Sequence, residues 1–430
     1  MRPAALSGTP EAMRAAIGRR HRFRLWEALP WLVAVAAYFV FDSYLALGAQ
    51  ILATILFALS VDLVLGYAGI ITLGHAAFFG VGAYTAGILA ANGWGEPLTG
   101  LVAAALVAGV IGIVSGAIIL RTTGLTLLMQ TLVIATMLLE AANKATRVTG
   151  GADGLQGMDV WSIFGVFRFD LFGRTAYIYC LIVLFLCWLV TRQIVYSPFG
   201  LALNGIRENV ARMHAIGSPV GRRRLVVYAV SAALAGIAGA LIAQTTQFVG
   251  LGVLSLERSG SVLIMLIIGG VGQLYGAFIG VPLYMIAQDR FSAIDPVYWY
   301  FWIGEFMVLL VIFAPGGVLG LPQRLRLFIA KLWTARGVQA EPLLRAMAIL
   351  LILVAVNSWI AIHGSGGAIL QRIFCLFYSI SGCGALDWLG ALVPWAFWIG
   401  LACLAARQTI ITRKANIIVP VTIAQLYRRG

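Results

Sequence analysis

The residues that usually carry chemistry are few in this chain and far apart. Its four histidines, His21, His75, His214 and His363, stand in different segments with no partner motif beside them. They offer no nucleophile–base pair and no metal set. Of five cysteines, Cys180, Cys187 and Cys403 lie in apolar runs and read as packing residues. There is no C-x-x-C spacing. The chain contains no Gly-Lys pair, so it has no G-x-x-x-x-G-K-[ST] loop and cannot hold ATP in that way. The acids set in apolar sequence are Asp42, Asp62, Glu140 and Glu305. A charge at the centre of a membrane helix costs roughly 2.5–3.5 kcal/mol unless paired or wet. Asp42, Asp62 and Glu140 fall near the ends of apolar runs. Glu305 lies well inside one, so it is expected to face a bundle interior or a wet cavity.

These residues are embedded in 430 residues that are 61% hydrophobic and 11% charged, with a mean hydropathy of +0.95. A soluble domain is about a quarter charged, so lipid is the expected solvent. Spans of about 20 apolar residues are read near 28–42, 45–66, 74–93, 98–120, 122–142, 175–196, 224–248, 259–274, 275–288 and 297–315. Two more lie near 346–363 and 386–405. Lipid leaves unpaired backbone groups no partner, so helices are required. The expected fold is an all-α polytopic bundle of about ten core spans plus two C-terminal ones, with both termini cytoplasmic.

The net charge of +14 raises nucleic acid as a partner, but its distribution argues for membrane topology. With the first 27 residues inside and sides alternating, most of the 30 basic residues fall in cytoplasmic segments. These are the tail at 1–27, the loop at 191–224, a linker at 322–345 and the end of the chain. An odd span count would carry one basic cluster across. The 1–27 segment reads as a retained tail, since no A-x-A-like cleavage site directly follows the first apolar run. The organisation expected is a tail at 1–27, a transmembrane domain at 28–321, a basic linker at 322–345 and an extension at 346–430. Within the domain, 143–174 forms an outer loop and 197–223 a cytoplasmic one.

Four segments stand out. VLGYAGIITLGHAAFFGVGAYTAG at 64–87 has more glycines than a lipid-facing helix needs. Small residues there permit close packing or an unwound turn that exposes backbone to a polar solute. Gly69, Gly74 and His75 are therefore candidates for a translocation path, with Glu305. By residue type alone, His75 reads first as a packing histidine. TGGADGLQG at 149–157 is a turn-rich outer loop. In SPFGLALNGIRENVARMHAIG at 197–217, Leu203, Ile206, Val210, Met213 and Ile216 recur at helical spacing. The expected short amphipathic helix, 201–216, ends at Gly217 and lies on the membrane or docks into a partner's groove. Gly272, Gly276 and Gly280, with Ala232, Ala235, Gly236 and Gly239, read as small faces for tight helix crossings.

Six strings in this order resemble the permease family of high-affinity branched-chain amino acid importers, in particular the larger of its two permease types. They are ALSVDLVLGYAGIITLGHAAFFGVGAYT, TGGADGLQG, SPFGLALNGIRENVARMHAIG, YAVSAALAGIAGAL, IIGGVGQLYGAFIG and FAPGGVLGL, and they span about 58–321. Urea and amide importers have related permeases, so a urea or amide importer permease is the alternative reading; an ion-coupled secondary transporter is a further one, for which Glu305 is essentially the one mid-membrane ionisable group the sequence offers. The resemblance implies a multi-pass subunit of a bacterial inner membrane, without an ATPase site or cofactor of its own. It implies a second, smaller permease, two cytoplasmic ATPase subunits and a periplasmic solute-binding protein as partners, with transport by alternating access. It also implies that the segment about Gly205–Gly217 sits in a cleft of the ATPase, which makes Gly205, Ile206, Arg207, Glu208, Ala211, Arg212, Met213 and Gly217 its coupling residues. The chain departs from the family pattern at Glu305, usually apolar there, and in the hundred or so residues after 321. In that extension Cys375 and Cys383 fall in an outer loop at 364–385, where they either pair or remain thiols.

Overall fold

The structure is a computed structural model; it describes residues 25–162, 173–294, 299–300, 303–304, 306–307 and 316–320. The expectations for the tail before residue 25, for Glu305, for the linker at 322–345, for the spans near 346–363 and 386–405 and for Cys375, Cys383 and Cys403 lie outside the described residues, as does most of the span near 297–315. The chain divides into two compact units, one of residues 1–291 with 306–334 and the other of 292–305 with 335–430. The elements below, up to residue 291, belong to the first. In the second, Trp299 and Tyr300 stack with ring centroids 3.6 Å apart.

The described residues are helical, with a lone antiparallel bridge between Leu155 and Val249. In chain order the helices are α1 (Leu29–Val40), α2 (Leu45–Asp62), α3 (Ala76–Ala91), α4 (Pro97–Ile119), α5 (Leu125–Lys144) and α6 (Arg174–Tyr196). There follow α7 (Pro198–Glu208), α8 (Val210–Ala215), α9 (Val220–Thr246), α10 (Leu256–Gly269) and α11 (Gly276–Ile294). A π-helical turn, Leu63–Tyr67, extends α2. Among the described residues, five helices are long and apolar enough to cross a bilayer: α2 with its π-turn, α4, α5, α6 and α9. This is an all-α polytopic membrane protein.

Three expected spans are shorter than drawn from hydropathy. The helices α1, α10 and α3 have 12, 14 and 16 residues, or about 18, 21 and 24 Å at the usual 1.5 Å rise. A bilayer core is about 30 Å thick. Glycine explains two of the shortfalls. The run Gly69–Gly74 is not helical before α3 begins, and Gly270 ends α10 at a φ of 115°, a backbone that side-chain-bearing residues rarely adopt.

Burial separates core from rim. In the most apolar stretch of α2 with its π-turn 78% is buried, against 17% in α5. Helices α4 and α5 turn Val102, Leu106, Val110, Met129, Val133 and Met137 outward, as a lipid-facing surface requires. The α9 small face works as its spacing predicts. Gly236 packs on Ala104 and Ala108 of α4, and Gly239 lies against the Phe79 carbonyl of α3. A side chain at either would overlap its neighbour, so close approach is what these residues supply. Gly276 and Gly280 likewise close α11 onto Gly269 and Met265 of α10.

Gly272 does not belong to that face. It lies in the turn between α10 and α11 with a φ of 77°, because consecutive glycines end α10 before it is reached. Arg192 also departs from its expected place in a loop. It lies inside α6 with 5% of its side chain exposed, and its Nε donates to Glu27 Oε2 at 3.0 Å. Its guanidinium also sits over the Tyr196 ring at 5.1 Å. A buried arginine needs such partners, and these tie the start of the described chain to α6.

Candidate functional site

The segment 197–217 folds as two helices, not one. Ser197 caps α7 by accepting from the Gly200 N–H, with Pro198 at its first position. The helix buries Gly200, Leu203 and Ile206 and stops at Asn209, whose backbone is extended. The Asn209 side chain accepts from the Arg212 N–H at 2.9 Å and so starts α8. An N-cap is the position asparagine favours, and here it overrides the periodicity that predicted a continuous helix over 201–216. Met213 remains buried and folds back on Gly205, where a Cβ would lie 2.8 Å from its sulfur. Val210 and Ile216, two of the apolar residues read at helical spacing, are 43% and 70% exposed. Glu208, Ala211, Arg212, His214 and Gly217 are exposed as well. Gly217, at a φ of 77°, ends the segment. The result is a small projecting helix with two apolar side chains and mixed charge, held to the bundle by α7 and Met213.

Arg207 leaves α7 in the other direction. Its Nη1 donates to the Gly66 carbonyl in the π-turn. A π-turn interrupts the regular helical ladder and often marks a functional hinge. The chain leaves this one through Gly69, at a φ of 69°, while the Ile70 N–H bonds back to the Val64 carbonyl at 3.0 Å. A Cβ at Gly69 would lie 2.9 Å from Arg207 Cγ, and one at Gly272 would lie 2.8 Å from Arg207 Nη1. Asp62, only 2% exposed, accepts from the Gly272 N–H at 2.7 Å. Thus α7, the break after α2 and the turn between α10 and α11 meet around one guanidinium.

Sequence reasoning missed Asp62 and misread Gly272. A carboxylate near a span end looked inexpensive, and a glycine spaced four residues from the next looked like a crossing face. The available signal was the run Gly269-Gly270-Val271-Gly272, whose three glycines in four residues are a turn signature.

The other candidate path residues lie elsewhere. Gly74 is buried, and a Cβ there would overlap the Thr131 carbonyl of α5. His75 is 1% exposed, hydrogen-bonded through Nε2 to Ser231 Oγ at 2.8 Å and enclosed by Phe57, Phe78 and Tyr228. The Ser231 hydroxyl donates to the Ser60 carbonyl, which leaves its lone pair for a proton on Nε2. The 68–75 stretch keeps its backbone paired through side chains. Thr131 Oγ1 accepts from the Leu73 N–H at 3.3 Å, and Ser259 Oγ from the Ala76 N–H at 3.0 Å. Of the three candidates among the described residues, Gly69 lies at the Arg207 junction, while Gly74 and His75 are buried away from it. No group of three or more metal-ligating side chains occurs among the described residues.

The opposite end is built from loops. Leu155 and Val249 exchange backbone hydrogen bonds at 2.8 and 3.2 Å, and the Trp161 N–H donates to the Gly95 carbonyl at 2.8 Å. Gly150, Gly151, Gly154 and Gly157 all have positive φ, which makes 149–157 the turn-rich loop its composition predicts. Asp42 and Arg174 form a two-point ion pair that holds the α1–α2 turn to the start of α6, with Nε–Oδ1 at 3.0 Å.

A family model described as the branched-chain amino acid transport system permease component matches residues 43–314. The chain is 27% identical over 291 residues to the high-affinity branched-chain amino acid transport system permease protein LivM of Salmonella typhimurium, covering 62% of this chain and 67% of that protein. The figures are the same for LivM of Escherichia coli. A probable branched-chain amino acid transport permease protein LivM of Methanocaldococcus jannaschii is 24% identical over 250 residues, covering 52% of this chain and 70% of its own length. No solved structure matches the chain. Spanning helices packed through small residues, and a match over well more than half the chain, place this protein in the branched-chain amino acid transport system permease component family.

Proposed function

We propose that this chain is the larger transmembrane permease of an ATP-driven importer of branched-chain amino acids in a bacterial inner membrane. It works beside a second, smaller permease, receives solute from a periplasmic binding protein and is driven by two cytoplasmic ATPase subunits. The observation that carries the reading is α8. This short helix, with Glu208 just before it and Ile216 just after, presents Val210, Ile216, Glu208 and Arg212 to the surroundings, the mix of apolar and charged side chains that a partner's groove can take. Family membership supplies the partner, an ATPase subunit on the cytoplasmic face, and the names of the relatives supply the solute class.

In this reading the domain 28–321 is the moving body, 197–223 is its cytoplasmic contact, and 143–174 faces the binding protein. ATP binding favours one of two arrangements of the bundle because the ATPase pair grips α8 differently in each. Glu208, Ala211, Arg212 and Gly217 form the docking surface, while Gly205, Ile206 and Met213 anchor it.

Charge reversal tests the docking. Glu208→Lys combined with Arg212→Glu is expected to lower co-purification of the ATPase about tenfold, since two rim charges contribute around 1–2 kcal/mol together, with membrane insertion intact. Unchanged co-purification would count against the assignment. ATP-dependent uptake of leucine against urea, with the full set of subunits in vesicles, tests the solute; urea uptake alone would replace the amino acid reading with that of the related permeases.

A further inference from the structure

Docking explains how an ATPase holds the permease but not how its motion reaches the bundle. A projecting helix tied only to its neighbour would swing without moving anything else. The charged side chain of this segment that reaches a broken place in the bundle is Arg207. Its residue is exposed as a whole, yet its Nη1 reaches the Gly66 carbonyl.

We propose that Arg207 is a transmission pin: it locks α7 to the two broken places of the bundle, the break after the α2 π-turn and the turn between α10 and α11, so that displacement of α7–α8 shifts both together. Three independent features support this. The contact is made to backbone, at a place where the helical ladder is already interrupted and a carbonyl needs an outside donor. The two glycines nearest the guanidinium, Gly69 and Gly272, have positive φ and no room for a side chain beside Arg207. The second break is joined to the first by Asp62, buried in α2, which accepts from the Gly272 N–H. A guanidinium that donates to a backbone carbonyl is a strong contact while made. It is also one that a sliding α7 can break and remake, which a hydrophobic contact would not make so directional. Arg207 is thus a positioning residue acting through the backbone of Gly66 and Gly272, not a solute contact.

The inference rests on the ATP-driven reading, and its test is separable from that of docking. The complete transporter carrying Arg207→Ala, with both permeases, the ATPases and the binding protein, is placed in proteoliposomes. Three quantities are measured: co-purification of the ATPases, ATP hydrolysed, and leucine taken up. The expected result is an assembled complex in which uptake falls about tenfold or more and hydrolysis falls much less, so that ATP consumed per leucine rises. Tenfold corresponds to the low end of what a hydrogen bond to a charged group contributes. Arg207→Lys, which can reach the Gly66 carbonyl but not span both breaks, is expected to recover part of the ratio. Asp62→Asn keeps the acceptor for Gly272 and removes the charge, so it should raise the ratio by a smaller factor. A merely structural arginine would lower uptake and hydrolysis in proportion to the folded complex recovered. An unchanged ratio in Arg207→Ala overturns the proposal, as does a proportional loss; if that variant does not assemble, an unchanged ratio in both Arg207→Lys and Asp62→Asn overturns it. Failure of the ATPases to co-purify with the unaltered permease would instead overturn the docking reading beneath it.

Discussion

The two ends of the bundle handle broken backbone in different ways. At the end that holds Arg207, the chain interruptions at 68–75 and 270–275 borrow side chains from distant segments. Asp62 receives the Gly272 N–H, Arg207 supplies the Gly66 carbonyl, and Thr131 and Ser259 accept from Leu73 and Ala76. At the other end, backbone pairs with backbone. Leu155 bridges to Val249, Gly154 closes on Gly151, and Trp161 bonds to Gly95. Packing reinforces this, since Val249, Met158, Leu254, Tyr84 and Ala243 share one apolar cluster. A loop that satisfies itself can hold its shape while the rest moves. A break that depends on side chains elsewhere moves when they move. Under the proposal for Arg207, the difference fits a rigid end and a transmitting one.

Matched glycine substitutions give the largest expected contrast. Gly272 and Gly154 both have φ near +75°, where an alanine costs roughly 1–2 kcal/mol. Each also lacks room, since a Cβ would lie 2.8 Å from Arg207 Nη1 or 2.7 Å from the Val249 carbonyl. Both variants should lose thermal stability. Gly272→Ala should in addition lose leucine uptake per folded molecule by an order of magnitude, and Gly154→Ala should not. Equal uptake losses, normalised to monodisperse protein, would erase the distinction between the ends.

A smaller effect is expected from Thr131→Val, which removes the acceptor for the Leu73 N–H. Leaving that group unpaired costs about 1 kcal/mol or somewhat more. Faster amide exchange confined to 70–76 would be the signature; exchange spread over the whole of α5 would show that the threonine only supports the helix. Asp42→Asn should matter least. The pair with Arg174 is solvent-exposed, and such pairs contribute little. The Arg174 guanidinium holds the Asp42 carboxyl below its ordinary range. Its contribution is therefore complete above the unfolded value of about 3.9 and fades as pH falls through the lowered folded value. At neutral pH the unaltered protein should melt only slightly above Asp42→Asn, and the two curves should converge in strong acid. A large difference at pH 7 would mean the α1–α2 turn is less self-sufficient than described.

The parts legible in the sequence were those with a local signature. Apolar length placed α4, α5, α6 and α9 within a few residues, and small-residue spacing located the α9 crossings. The ordered strings placed the family. What escaped was decided by single polar contacts. Asn209 divides an apparently continuous amphipathic helix because its side chain caps the second half; periodicity counts apolar residues and is blind to that. Asp62 and Gly272 are 210 residues apart, and Arg207 and Gly66 are 141 apart. No repeat or spacing encodes such pairs. Arg192 looked like a loop charge since its partner, Glu27, lies in another segment. His75, for which both a packing role and a place in a solute path were open, is enclosed by three aromatic rings and bonded to Ser231.

The central claim is that a separate ATPase drives this helical bundle through α7 and α8. Leucine uptake by proteoliposomes holding the two permeases and the binding protein, with and without the ATPase subunits, tests it most directly. The account predicts uptake only when the ATPases and ATP are both present. Uptake at an undiminished rate without them, on an ion gradient alone, would contradict it.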